Sequence, residues 1–236
     1  QMKLTLIGTG TPAPDLERAG SSYLLSLSTE TILIDCGPGS FRRLVEKGIS
    51  VTDIDSVCLT HLHYDHCVDY ACIVLSRWDQ GAGRVPELDV LGPPGTLQLH
   101  ERLVGKSGAF DPDLRARTLH PLSQYVYEER GGVLPRARPE PRVCEVVDGS
   151  VVDRNGWRLA VAEVVHVQPH LTCLAYRIEA DGVSVVFSGD TAPIEKLTRL
   201  AQNADVLVHM CHFLNGPDKD PRLTSTCSGH LDAART

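Results

Sequence analysis

No stretch of this 236-residue chain approaches the roughly 20 consecutive apolar residues that a bilayer-spanning helix needs, so a membrane role is not expected. None of the eight cysteines forms a Cys-x-x-Cys pair, which removes the zinc-ribbon and thioredoxin-like readings. An excess of basic charge is also missing. The net charge is -7, which argues against a protein built mainly to grip polyphosphate backbones. Arginines do gather between Arg115 and Arg142, but Asp111, Asp113, Glu128, Glu129 and Glu140 sit among them and make a mixed-charge surface. Gln1-Met2-Lys3-Leu4 runs directly into a strand-like segment without the layout of a secretory leader. Together with the chain's size, this predicts reduced thiols and a cytoplasmic protein, with Cys36, Cys58 and Cys173 as small core residues. No repeat of fixed short period and no low-complexity tract is found.

What is present is ordinary globular material, 42% hydrophobic and 22% charged, enough for one sizeable domain over 1–236. Short β-rich runs at Lys3 to Ile7, Ser22 to Leu27, Thr31 to Ile34, Asp55 to Leu59 and Leu88 to Leu91 alternate with helical spacing at Phe41 to Lys47, Val68 to Trp78 and Thr96 to Val104. Strands resume at Ser150 to Asp153, Arg158 to Val165, Cys173 to Glu179 and Val183 to Phe187. A helix to about Gln202 and a strand from Asp205 to His209 follow. Organisation is poorest between Gly105 and Arg142, where Gly, Pro, Arg and Glu are frequent and Glu128 to Arg142 has almost no periodicity, and an excursion or lid is expected. Strands in two groups with helices in both halves suggest sheets sandwiched between helical layers; the pattern alone does not separate that from a doubly wound sheet.

The chemistry concentrates just after the apolar run Asp55 to Leu59, where His61, His63, Asp65 and His66 fall within six residues. In an extended segment alternate side chains share a face, so His61 and His63 can converge on one ion. The turn into the next helix can present Asp65 and His66 to a second point nearby. A lone histidine reads as a surface residue; three with a carboxylate after a buried strand read as a metal site. Imidazole and carboxylate suit zinc, and also iron or manganese.

This His-x-His-x-Asp-His pattern resembles the metallo-β-lactamase superfamily. Gly8-Thr9-Gly10-Thr11-Pro12, Leu33-Ile34-Asp35-Cys36-Gly37, Gly92-Pro93-Pro94-Gly95, Tyr176-Arg177-Ile178 and Ser188-Gly189-Asp190-Thr191 are similar to its ribonuclease Z and arylsulfatase-like branch. The resemblance implies an α/β fold, a four-layer αβ/βα sandwich of two mixed β-sheets, with metals at the strand ends. It implies that His61, His63 and His166 hold a first ion, that Asp65 and His66 hold a second, and that Asp190 bridges both, most simply as two zinc ions. His166 is favoured over His170, because the family places this ligand some residues before the Tyr-Arg pair. Asp35 is expected to steady the metal loop, unless it serves as a helix cap or turn carboxylate. Asp190 could similarly form an Asx turn.

The resemblance implies a hydrolase acting on a small-molecule phosphodiester, sulfate ester or lactone. Asp65 and His230 are the expected catalytic residues, His230 as an acid for the leaving group, unless it is a substitute ligand or a plain helix-start residue. Transfer-RNA processing is a competing reading. Nucleic acid is disfavoured as a partner by the net charge and by Met210, which stands where ribonuclease Z has Glu. Two further readings stay open: an oxygenase with one iron and a thiol substrate, and a metal-binding relative without catalysis. A homodimer is expected. The family's further second-site histidine has no counterpart after His230, so the domain is read as lacking its last strand and helix, and the second ion as more weakly held.

Overall fold

The computed structural model describes residues 2–214 and 220–236. Six strands form the first sheet in sequence order: β1 (Lys3–Gly8), β2 (Ser22–Ser26), β3 (Thr31–Ile34), β4 (Ser56–Cys58), β5 (Asp89–Gly92) and β6 (Arg142–Glu145). The first three are antiparallel neighbours; β3 to β6 run parallel. Five strands form the second sheet: β7 (Val151–Arg154), β8 (Trp157–Val164), β9 (Cys173–Ala180), β10 (Val183–Phe187) and β11 (Val206–Val208), in the order β11-β10-β9-β8-β7. Only the β10/β11 pair there is parallel.

Alternation along each strand sorts the core into layers. Leu25, Ile32, Ile34, Cys58 and Leu91 face Trp157, Leu159, Leu174, Tyr176, Ile178 and Phe187 between the sheets. Their neighbours Leu24, Leu33, Val57 and Val90 point the other way, against α1 (Ser40–Glu46), α3 (Tyr70–Gly81) and α4 (Thr96–Val104). On the far side of the second sheet Cys173, Ala175 and Val186 pack with Leu197 of α7 (Glu195–Ala201). The result is helix, sheet, sheet, helix. Cys36, Cys58 and Cys173 are fully buried, as expected. Among the described residues no helix is long and apolar enough to cross a membrane.

The segment 105–142 departs from the expectation of little regular structure. It holds α5 (Asp111–Leu119) and α6 (Pro121–Glu129), and its last residue opens β6. Both helices carry proline in the first turn, where the missing N–H costs nothing, so the prolines begin helices rather than interrupt them. Leu114 is fully buried. Arg136 lies 4.0 Å over the Trp78 ring and 4.8 Å from that of Tyr127. Its guanidinium reaches the Asp79 carboxylate at 2.8 Å, which Arg117 and Arg130 also approach, at 3.2 and 2.9 Å. The clamp fastens the excursion to α3.

Candidate metal centre

Four loops meet past the ends of β3, β4, β8 and β10. The chain leaves β4 extended through His61 and His63 and then turns into the short helix α2 (Tyr64–Cys67), which carries Asp65 and His66. His166 follows β8 and Asp190 follows β10. Among the described residues two groups have ligand atoms within 4.8 Å of one another: His61, His63, His166 and Asp190; and Asp65, His66 and Asp190. These are the six residues expected from the sequence, and Asp190 belongs to both groups.

The imidazoles are held from behind. Nδ1 of His66 lies 2.7 Å from Asp35 Oδ2, Nδ1 of His166 2.8 Å from the Thr226 carbonyl, and Nδ1 of His61 3.1 Å from Thr60 Oγ1. With Nδ1 engaged, Nε2 is the atom presented. It lies 3.5 Å from Asp190 in His66 and 3.7 Å in His166, and 3.1 Å from Nδ1 of His63 in His61. Tying one ring nitrogen so that the other offers its lone pair is how proteins prepare histidine for metals. Imidazole and carboxylate donors converging on two adjacent points fit zinc.

Asp35 is 1% exposed and sits at φ +55°, a conformation that a short polar side chain tolerates. Its Oδ1 accepts from Thr60 N–H at 2.7 Å, and its Oδ2 accepts from the Thr60 hydroxyl at 2.8 Å as well as from His66. A helix-cap role for Asp35 fails, because the cap residue of α1 is Gly39 and no side chain caps that helix. The Asx-turn cap for Asp190 fails likewise: α7 starts five residues on, flanked by Ile194 and without a side-chain cap. One glycine is dictated by this crowding. A Cβ at Gly37 would stand 1.9 Å from the Asp65 carbonyl, so only glycine lets the β3 loop lie against the ligand turn.

Charge at the centre is divided sharply. Burial works against a charged His66, but the Asp35 and Asp190 carboxylates outweigh it and push its pKa up to about 10. Burial likewise opposes ionisation of Asp190, yet His66, His61 and His166 hold its carboxyl well below the usual range. His61 is driven well below its ordinary value by burial and by His66, and His63 is lowered by burial and by His166. The metal-free centre therefore has an anionic Asp190, neutral imidazoles at His61 and His63, and a cation at His66 whose place a metal ion would take.

Asp65, His66 and Asp190 open onto a cleft of ≈ 470 Å³, whose other wall includes Tyr23 and His209 to His212. His170 is exposed in a turn and outside both groups. His209 is half-buried, its Nδ1 2.7 Å from the Met210 carbonyl, in keeping with a structural residue at a strand end. Met210 places its sulfur 2.9 Å from Thr191 N, next to Asp190. His230 opens α9 (His230–Arg235), exposed and outside both groups. Sequence reasoning missed Thr60 and the Thr226 carbonyl. Thr60 directly precedes His61 and was within reach; a backbone carbonyl contributed from 60 residues away leaves no trace in residue types.

A family model, the metallo-beta-lactamase superfamily, matches residues 16–222. A ribonuclease Z of Mycobacterium bovis is 35% identical over 209 residues, which cover 88% of this chain and 69% of that protein. A ribonuclease Z of Mycolicibacterium gilvum is 36% identical, covering 88% and 68%. Among solved structures, the metallo-beta-lactamase fold protein YhfI from Bacillus subtilis superposes with a TM-score of 0.74 at 21% identity, over 99% of this chain and 80% of that one. The short form of human tRNase Z gives 0.69 at 18% identity, over 100% and 87%. These two likenesses carry the fold.

Proposed function

The chain belongs to the metallo-β-lactamase superfamily, and on that premise we propose that it is a zinc-dependent hydrolase of phosphodiester bonds. The observation that carries the reading is the pair of donor groups sharing Asp190, of which Asp65, His66 and Asp190 line an open cleft. His61, His63, His166 and Asp190 would hold one ion, and Asp65, His66 and Asp190 the other. When bound, the ions supply an activated water and polarise the oxygen on which charge develops.

The chain's own residues supply the rest. Asp35 and Thr60 fix the His66 and His61 rings, and the Thr226 carbonyl fixes that of His166. Asp65, 5% exposed and 3.7 Å from His66 Nε2, would hold an ion and is placed to accept a proton on its carboxylate. His230, at the solvent-facing start of α9, is the proposed acid for the leaving group.

Phosphodiester is preferred over sulfate ester and lactone because the curated relatives named above are ribonucleases by name. Nucleic acid is therefore a substrate class to test, although Met210 offers no carboxylate for proton transfer at its position. Zinc-loaded protein is assayed with bis(p-nitrophenyl) phosphate, p-nitrophenyl sulfate, a chromogenic lactone and a precursor tRNA. Turnover of the phosphodiester, abolished by chelation and restored by zinc, is the expected result. Turnover confined to the sulfate or lactone overturns the bond assignment, and absence of turnover on all four overturns the hydrolase.

A further inference from the structure

Of the side chains that line the cleft with Asp65, His66 and Asp190, Met210 offers only a thioether, and Leu207 and Val208 are apolar. Tyr23 is different. It stands on β2 on the face that carries Leu25, toward the second sheet. It pairs in register with Ile34, the residue before Asp35. Its ring rests on that of Phe187, the last residue of β10, with centroids 5.6 Å apart and planes at 39°. The strands that deliver Asp35 and Asp190 thus fix this ring between them. Tyr23 lines the cleft and also a recess of ≈ 30 Å³ behind it, and so do His66, Asp190 and Met210. The phenol is carried to the ligands by two strand ends and not by a loop.

Packing does not require the hydroxyl. A phenylalanine would fill the same place between the sheets and make the same contact with Phe187. The phenol is hydrogen-bonded to the Ser21 side chain, and with Ser21 donating, its own O–H is left to point into the cleft. Burial, and then the nearby Asp35 and Asp190 carboxylates, raise its pKa, so the proton stays in place. The result is a neutral donor on a rigid strand, beside groups that are metal ligands or poor donors.

We propose that Tyr23 is a catalytic residue whose hydroxyl donates a hydrogen bond to the non-bridging phosphodiester oxygen on which charge develops. The proposal rests on the phosphodiesterase reading and adds the donor that Met210 does not supply. A donor aimed before the substrate arrives costs no reorganisation during the reaction, so one such bond can carry a large share of the rate. The proton stays on Tyr23 throughout, which separates this role from that of the acid at His230.

Tyr23→Phe removes the hydroxyl and keeps the ring on Phe187. With zinc-loaded protein and bis(p-nitrophenyl) phosphate, kcat and kcat/KM should fall together by about 100-fold while KM stays nearly constant. A series of aryl methyl phosphates should show the same loss at every leaving group. Orthovanadate, a five-coordinate mimic of the transition state, gives a readout without turnover: its Kd for zinc-loaded protein, measured by calorimetry, should weaken about tenfold in the variant. A loss that grows with the basicity of the leaving group makes Tyr23 the acid and overturns the assignment. A rise in KM alone or an unchanged vanadate Kd also overturns it, as does a zinc content below that of the wild type, which would make the hydroxyl a support of the metal loops. If the wild type hydrolyses no diester, the phosphodiesterase reading falls, and the vanadate measurement by itself decides on Tyr23.

Discussion

Replacing Asp35 by Asn changes one heavy atom, and the consequence can be followed from bond to bond. The Asp35 carboxylate accepts three hydrogen bonds: Oδ1 from Thr60 N–H, Oδ2 from the Thr60 hydroxyl and from His66. An amide nitrogen facing the Thr60 N–H would set two donors against each other. The Asn must turn its oxygen there and its NH₂ toward Thr60 Oγ1 and His66 Nδ1. His66 Nδ1 must then accept, so the ring proton moves to Nε2, the atom 3.5 Å from Asp190 and 3.7 Å from Asp65. A protonated Nε2 has no lone pair to give. The ion held by Asp65, His66 and Asp190 should bind about 10- to 100-fold more weakly, or about 1.4–2.7 kcal/mol. The ion at His61, His63 and His166 should weaken less, since His166 is fixed by the Thr226 carbonyl and only His61, through Thr60 Oγ1, feels the change. Asn tolerates the positive φ of this position, so backbone strain does not confuse the comparison. Zinc titration against a chromogenic chelator resolves the two steps, and ¹⁵N chemical shifts report the His66 tautomer in the metal-free protein. A second step as tight as in the wild type, or two steps that fall together, refutes the reasoning.

Asp190→Ala removes the one donor common to both groups. Metal content by elemental analysis should fall from two per chain to one or fewer, and turnover of bis(p-nitrophenyl) phosphate should drop by at least ~100-fold. Chelation should also expose a pH dependence that zinc hides. Metal-free His66 has its pKa raised from 6.5 to about 10, so its stabilising contribution is complete below about pH 6.5 and is lost as pH climbs toward 10. Thermal melts of metal-free protein should show that decline, and zinc-loaded protein, with His66 neutral and liganded, should not. Asp79→Asn should cost about 2–3 kcal/mol at neutral pH, below the range for a fully buried pair because Arg117 and Arg130 are 44% and 41% exposed. Burial opposes ionisation of Asp79, but Arg136 and Arg130 keep its carboxyl below the ordinary range. Its contribution is therefore present above about pH 4 and is lost on further acidification, where the Tm values of variant and wild type should converge.

The parts of the fold legible in the sequence are those governed by one-dimensional periodicity. Leu24 and Leu25, or Val57 and Cys58, can be assigned to opposite faces because a strand has a period of two. The same rule brings His61 and His63 to one point. The excursion defeats such reading because its helices bury little: Leu114 and Tyr127 are the only buried apolar side chains of α5 and α6. With so few apolar anchors, Pro112 and Pro121 look like breakers. β6 escapes notice for a similar reason, as an edge strand without a buried residue. Within the site, residue type announces ligands but not the atoms that orient them. Asp35 is legible through its family context, whereas the Thr226 carbonyl is set by tertiary structure alone.

Thr60 also accepts from Leu174 N–H at 2.9 Å, and the buried hydroxyl of Tyr176 donates to the Leu59 carbonyl at 2.5 Å. The segment bearing His61 is thereby riveted to β9 of the opposite sheet, with no ion taking part. A socket built this way should keep its dimensions on chelation, leaving the architecture standing, unlike small zinc domains that unravel when their metal is removed.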